Sequence, residues 1–168
     1  HTPLPVYWQS IYEFTNLRRE FGRIVDQATA VGRELFSGLF EEFPDLRFIH
    51  TMFGGNWFAN QSLTTPHKSK KDEALARFDT READRIQRYL KNNIFYDMTH
   101  PASWGKEQVE CAIRVCGADH MLFGSSFPVV YGWMSSGVDF VQKLDISEQE
   151  RELILNGNAR RLFRLDEK

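Results

Sequence analysis

Cysteine is scarce in this chain: there are two in 168 residues, which leaves no room for a disulfide framework. Cys111 and Cys116 stand five apart on a segment with helical periodicity, too far round a helix for a favourable bridge. A reducing, cytoplasmic setting is therefore expected. No apolar run approaches the roughly 18 residues of a membrane span, and no signal segment is visible. Neither sign of charge is in excess. Lys and Arg number 21 against 23 Asp and Glu, they are interspersed, and the net charge is −2. That balance argues against a nucleic-acid or anionic-membrane partner. Glycine-rich phosphate loops are missing too: Gly54-Gly55 is a lone pair and no Gly-Lys-Ser/Thr occurs, so nucleotide binding is not expected. Nor is there a Gly-x-Ser-x-Gly elbow to raise a serine nucleophile.

Apolar and aromatic residues are plentiful, at 42% and 14% of the chain, with 14 Phe and 4 Trp. This is the composition of a folded domain with a real core. From Glu20 to Phe43, apolar residues at Phe21, Ile24, Val25, Ala28, Val31, Leu35 and Leu39 keep helical spacing, with Gly22, Gly32 and Gly38 as points for a break. Pro44-Asp45 ends that helix and launches a short strand from Leu46 to Met52. Residues 56–78 form a long polar excursion containing His67 and the Lys68–Lys71 run, read as a functional lid or a mobile excursion. Asp79 and Glu82 have capping-box spacing before a helix to about Leu90.

The densest information lies between Asn92 and Pro128. It reads as a strand (Ile94 to Met98), a Thr99-His100-Pro101 turn, a helix (Lys106 to Cys116), a strand (Met121 to Gly124) and a Gly-Ser-Ser-Phe-Pro turn. Ser147 with Glu150 is a second capping box, opening a helix that stops at Gly157, and Asn158 caps a last helix ending at Phe163. Strands and helices alternating over such short connections predict an α/β fold with parallel strands joined by right-handed crossovers. Three strands amount to about half of a (β/α)8 TIM-type barrel, with an open doubly wound sheet as the other architecture. The chain opens on His1-Thr-Pro-Leu-Pro, which reads as the exit of a further strand, so the 168 residues are expected to be one partial domain.

Five motifs follow one another in an order that resembles the amidohydrolase-related family, in the branch of aminocarboxymuconate-semialdehyde decarboxylase and the resorcylate-type decarboxylases. They are Glu42-Phe-Pro-Asp-Leu-Arg-Phe48, Met52-Phe-Gly-Gly55, Asn93-Ile-Phe-Tyr-Asp97, Gly117-Ala-Asp-His-Met-Leu-Phe-Gly-Ser-Ser-Phe-Pro128 and Ile154-Leu-Asn-Gly-Asn-Ala-Arg-Arg-Leu-Phe163. The resemblance covers nearly all of this chain but only the second half of that fold. It implies a distorted barrel with one divalent metal, commonly zinc, at the C-terminal ends of its strands. It implies a small-molecule substrate, hydrolysed at a carbonyl or decarboxylated, and assembly as a homo-oligomer or against the missing half of the barrel. Carried over residue by residue, His1 resembles a metal ligand ending strand 5, and His100 resembles a His of the decarboxylase branch. Met52 stands where a proton-transferring His is expected, and Ser126 where a metal-binding Asp is expected.

These departures weaken the family's metal centre, because a serine hydroxyl brings no charge and a thioether moves no proton. His100 and Ser126 remain the candidate catalytic residues, and Met52, Trp57, Trp104 and Trp133 the candidate substrate contacts, with Phe58 beside them. His1 is the candidate metal ligand, and this chain alone is expected to hold metal weakly or not at all. Three further readings stay open. His50, two residues before Met52 on the same strand face, either reaches the barrel interior or is a buried, hydrogen-bonded core residue. Asp97 either orients an imidazole or a bound water, or makes a structural hydrogen bond. The aromatic residues after the strands either line an apolar pocket or pack the loops on one another. A non-catalytic barrel relative, acting in binding or assembly, is the alternative to an enzyme.

Overall fold

A computed structural model of the chain describes residues 13–64 and 80–167. They fall into two compact units, one from the segment ending at His50 together with Gly54–Ile94, the other from Thr51–Phe53 together with Phe95 onward. His1, His67, Lys68–Lys71 and Asp79 lie outside the described residues.

In the first unit, α1 (Thr15–Phe36) is the long periodic helix. It ends at Gly38, which takes up φ 79 before the short α2 (Leu39–Glu42). Of the glycines where a break was expected, Gly38 is the one that makes it, because there the backbone turns left-handed. Val31 and Leu35 are fully buried, whereas Leu17 and Phe21 are exposed, so the apolar stripe is covered only toward its C-terminal half. Strand β1 is Phe48–His50, shorter than the Leu46–Met52 expected. Phe48 packs edge-on to Phe40 at 6.1 Å, and Phe40 meets Tyr89 of α4 (Thr80–Asn92) at 5.2 Å. Asn93, almost fully buried, donates through Nδ2 to the carbonyls of Pro44 (2.8 Å) and Leu46 (2.7 Å). Its own carbonyl accepts from Phe48 N–H at 2.8 Å, fastening β1 to the foot of the next strand.

Strand β1 stops at His50 because the chain then enters a left-handed turn. Met52, Phe53, Gly54, Gly55 and Asn56 all have φ between 51° and 67°, and this turn opens α3 (Met52–Thr64). The polar excursion expected over 56–78 is thus helical as far as Thr64. Strand alternation does not extend to Met52, so the expectation that it shares a strand face with His50 is corrected.

In the second unit, β2 (Ile94–Asp97) and β3 (Met121–Leu122) pair in parallel, with Tyr96 opposite Met121 and Asp97 opposite Leu122. The strand order is β1-β2-β3. The crossover is α5 (Lys106–Cys116), whose buried Val109, Ala112 and Ile113 have the i, i+3, i+4 spacing of one helix face. Gly117 stops it at φ 92, its N–H bonded to Ile113 O. Like α3, helix α6 (Trp133–Gln142) was not anticipated. Its mid-helix Gly137 reads as a breaker, yet a Cβ there would stand 2.9 Å from the Phe123 ring and 3.6 Å from Pro101. The glycine buys close approach at the cost of helix propensity.

The Ser147 capping box forms as expected at the start of α7 (Glu148–Glu152): Glu150 N–H donates to Ser147 Oγ and Ser147 N–H to Glu150 Oε2. The Ser147 hydroxyl, which donates to Glu150 Oε2 at 2.7 Å, and then the Ser147 N–H hold the Glu150 carboxyl below its ordinary pKa. The helix runs on through a wide turn at Leu153–Gly157 into α8 (Asn158–Leu162). Asn158 is therefore no cap. Its backbone is helical, and its buried side chain donates instead to the carbonyls of Ala118 and Met121, both at 2.7 Å.

Candidate active site

In parallel α/β sheets the loops after the strands hold side chains rigidly at a crevice. After β2 the chain makes a tight turn. Asp97 Oδ1 accepts the Thr99 N–H at 2.6 Å and also the Thr99 hydroxyl, an Asx-type turn. Met98 N–H still reaches Leu122 O at 3.1 Å, so the turn begins directly at the sheet. His100 follows at φ 30 and ψ 81, a conformation few residues with a Cβ adopt. A one-turn 3₁₀ helix, Pro101–Ser103, comes next.

His100 Nδ1 and Ser103 Oγ are hydrogen-bonded at 2.9 Å. The imidazole lies over Trp133, the first residue of α6, with ring centroids 4.1 Å apart and planes at 30°. Trp104 donates its indole N–H to Thr99 O at 3.1 Å and meets Phe53 edge-on at 5.5 Å. The β2 exit thus presents an imidazole with one nitrogen committed, backed by an indole face. Ser103, Thr99 and Phe53 were not among the site residues expected from the sequence. The Asp-x-Thr spacing of an Asx turn was a readable sign of the second.

After β3, Ser126 has φ 59 and its carbonyl accepts from Val129 N–H at 2.9 Å. Its hydroxyl makes no hydrogen bond among the described residues, whereas Ser125 Oγ accepts from Phe127 N–H at 3.3 Å. Met52 is buried at the head of the left-handed turn. Trp57 belongs to the first unit, where a Cβ on Gly32 would stand 3.5 Å from its ring. Its indole N–H is buried without a partner among the described residues.

His50 takes the second of its two readings. Nε2 is 2.7 Å from Glu34 Oε2 of α1, and the ring stacks on Phe48 at 5.9 Å. Both contacts turn it toward the helix layer. The carboxyl of Asp97 is pushed above its ordinary pKa of 3.8 by burial, against the pull of the Thr99 bonds and of His100. A raised carboxyl pKa means that Asp97 lends stability when protonated and loses it as pH climbs from 3.8 through the folded-state value. The gain in melting temperature of Asp97→Asn over wild type should accordingly grow between pH 3 and pH 7 in a calorimetric series. A flat difference would refute it. Burial, with Cys111 nearby, also raises the Cys116 thiol to about 12, which removes it as a nucleophile at neutral pH.

No three His, Cys, Asp or Glu side chains among the described residues are grouped to hold a metal ion. The described residues therefore do not fit a one-metal centre by themselves.

The amidohydrolase family profile matches residues 1–165. The chain is 30% identical over 143 residues to 2-keto-4-carboxy-3-hexenedioate hydratase of a Sphingobium species, covering 80% of this chain and 38% of that protein. It superposes on 2,6-dihydroxybenzoate decarboxylase from Rhizobium with a TM-score of 0.78 at 26% identity, covering 99% of this chain and 50% of that one. A dihydroxybenzoic acid decarboxylase from a Polaromonas species, solved with manganese and the inhibitor 2-nitroresorcinol, gives 0.74 at 21% identity, with 100% and 49% covered. The chain thus spans from 38% to 50% of the length of these relatives. With its parallel α/β fold and a profile match over nearly its whole length, the chain belongs to the amidohydrolase family.

Proposed function

We propose that the chain is the C-terminal half of a (β/α)8 barrel enzyme that acts as a lyase on a small conjugated or aromatic carboxylic acid. The half-barrel reading is supported by the match to half of each solved relative. Strand β1 supports it too. Phe48 and His50 face Phe40 and Glu34, while Ile49 between them is 36% exposed on the other face. In a closed barrel that face would be interior. The missing half, or a second copy of the chain, would then cover it.

The observation that carries the lyase reading is His100 lying over Trp133 at the β2 exit, the ring planes tilted by 30°. Loss of carbon dioxide leaves electron density on a carbon that must be protonated, and hydration requires a proton to move between water and carbon. His100 serves either need. With Nδ1 held by the Ser103 hydroxyl, Nε2 is the nitrogen left to give or take the proton. Trp104 and Trp133 offer flat apolar faces to a planar acid, and Ser126, whose hydroxyl is uncommitted, offers it a hydrogen bond. A divalent cation, zinc or the manganese of the Polaromonas relative, enters this reading only with ligands from beyond the described residues, His1 among them. A cytoplasmic setting is part of this reading, with Cys111 and Cys116 as thiols.

Ser126 and Met52 favour a second reading, a barrel relative that binds without catalysing. One comparison separates the two. Protein supplied with manganese is assayed for carbon dioxide release from 2,6-dihydroxybenzoate and for hydration of 2-keto-4-carboxy-3-hexenedioate, the acids of the two relatives. Metal content after dialysis is measured for wild type and Ser126→Asp. The lyase reading expects turnover of at least one acid, and more retained manganese in the Asp variant, which restores a negative charge. No turnover, with both proteins metal-free, would leave the binding reading standing.

A further inference from the structure

Asp97 does more than end β2. Through Oδ1 it takes the Thr99 N–H and hydroxyl, while the Thr99 carbonyl is taken from the other side by Trp104 Nε1. The peptide fixed in this way delivers the chain into His100, at an uncommon φ of 30 and with its ring on Trp133. The same carboxylate lies against the exit of β3. A Cβ on Gly124 would stand 2.7 Å from Asp97 Cγ and 2.8 and 2.9 Å from its two oxygens. Real Cβ atoms do not come that close, so the glycine leaves the space that the carboxylate fills. Two residues on is Ser126, with positive φ. One largely buried side chain therefore touches the loops carrying both candidate catalytic residues.

We propose that Asp97 is the positioning residue of the candidate active site, setting the pose of His100 on Trp133 through Thr99 and the course of the Ser126 turn through Gly124. Burial that raises its pKa is consistent with a carboxylate kept here for placement, since its charge is poorly solvated. The inference takes its importance from the lyase reading, but its test does not depend on turnover.

The protein is labelled with 5-fluorotryptophan and followed by fluorine NMR, with the Trp104 and Trp133 resonances assigned by their loss in the Trp104→Phe and Trp133→Phe variants. His100→Ala gives the position of the unstacked Trp133 resonance. Asp97→Ala should move the Trp133 resonance at least half of the way to that position and displace Trp104 as well. Asp97→Asn retains an acceptor for the Thr99 N–H and should leave both within a small fraction of that shift. Gly124→Ala, which drives the carboxylate from its place, should reproduce the Asp97→Ala change. Thr99→Val removes only the hydroxyl and should shift Trp133 in the same direction by less, which secures a reading if Asp97→Ala does not fold. A folded Asp97→Ala with a lower melting temperature but unmoved resonances would reduce Asp97 to a stabilising residue and overturn the proposal. So would an Asp97→Asn that moves as far as the alanine variant, or an unmoved Trp133 in Thr99→Val where the alanine variant is unfolded. If the shifts occur but neither acid is turned over, the lyase reading fails and the positioning role stands.

Discussion

Gly55→Ala should destabilise the protein by more than about 4 kcal/mol, enough to abolish a cooperative melt in a domain of ordinary stability. The added methyl would stand 2.0 Å from Ile24 O and 2.5 Å from Ala28 N, both backbone atoms of α1 that cannot swing aside. The residue also sits at φ 67, where a Cβ is strained even in open space. Gly132 is the control: nothing lies within 4 Å of its would-be Cβ, and its φ of −64 suits any residue. Gly132→Ala should be neutral or stabilise by about 0.5 kcal/mol. Thermal and urea unfolding of the two variants decide the matter. A Gly55→Ala protein melting within a few degrees of wild type would mean that α3 does not lie against α1 in this way.

His100→Gln should reduce turnover by about 10²- to 10⁴-fold, the range for loss of a general acid or base. The fall belongs in kcat with KM held within a few-fold, because the proton moves in the transition state while Trp133 and Trp104 still meet the substrate. Stability should change little, since His100 is only half buried and its polar partner is the exposed Ser103. Ser103→Ala should give a smaller loss, as the imidazole keeps its place on Trp133 but no longer has Nδ1 fixed. Steady-state kinetics on whichever acid is turned over provide the check. An enzyme indifferent to His100→Gln would take the proton-transfer role away from this loop.

What could be read from the sequence was governed by local rules. The α5 boundaries, the Gly117 stop and the Ser147–Glu150 box depend on residues within a few positions of one another, and each is where the spacing placed it. The parallel crossover from β2 to β3 followed from the same alternation. The left-handed turn at Met52–Asn56 could not be read, since apolar residues at positive φ run against their own preference and are held there by packing. Helix α6 was hidden for a related reason, its Gly137 being chosen for the Phe123 ring and not for helix formation. His50 was ambiguous until its partner was known, and Glu34 lies 16 residues away on another element. In the candidate site, His100 and Trp133 were legible as single residues. Their contact, between residues 33 positions apart, was not.

The clasp made by Asn158 has a consequence for the order in which the chain can become whole. The carbonyls of Ala118 and Met121 flank the start of β3 and receive their hydrogen bonds from a side chain 40 and 37 positions later. During synthesis, therefore, β3 leaves the ribosome with the Met121 carbonyl lacking its later donor, and water must serve it until Asn158 emerges, whereas Ala118 O already accepts from Met121 N–H. The strand that leads to Ser126 is among the last parts of the chain to be secured. A transcript cut short anywhere between Ser126 and α8 yields a product that carries every candidate catalytic residue yet lacks the donor that closes the sheet beneath them. Nascent chains of increasing length should resist protease at β3 only once position 158 has cleared the exit tunnel.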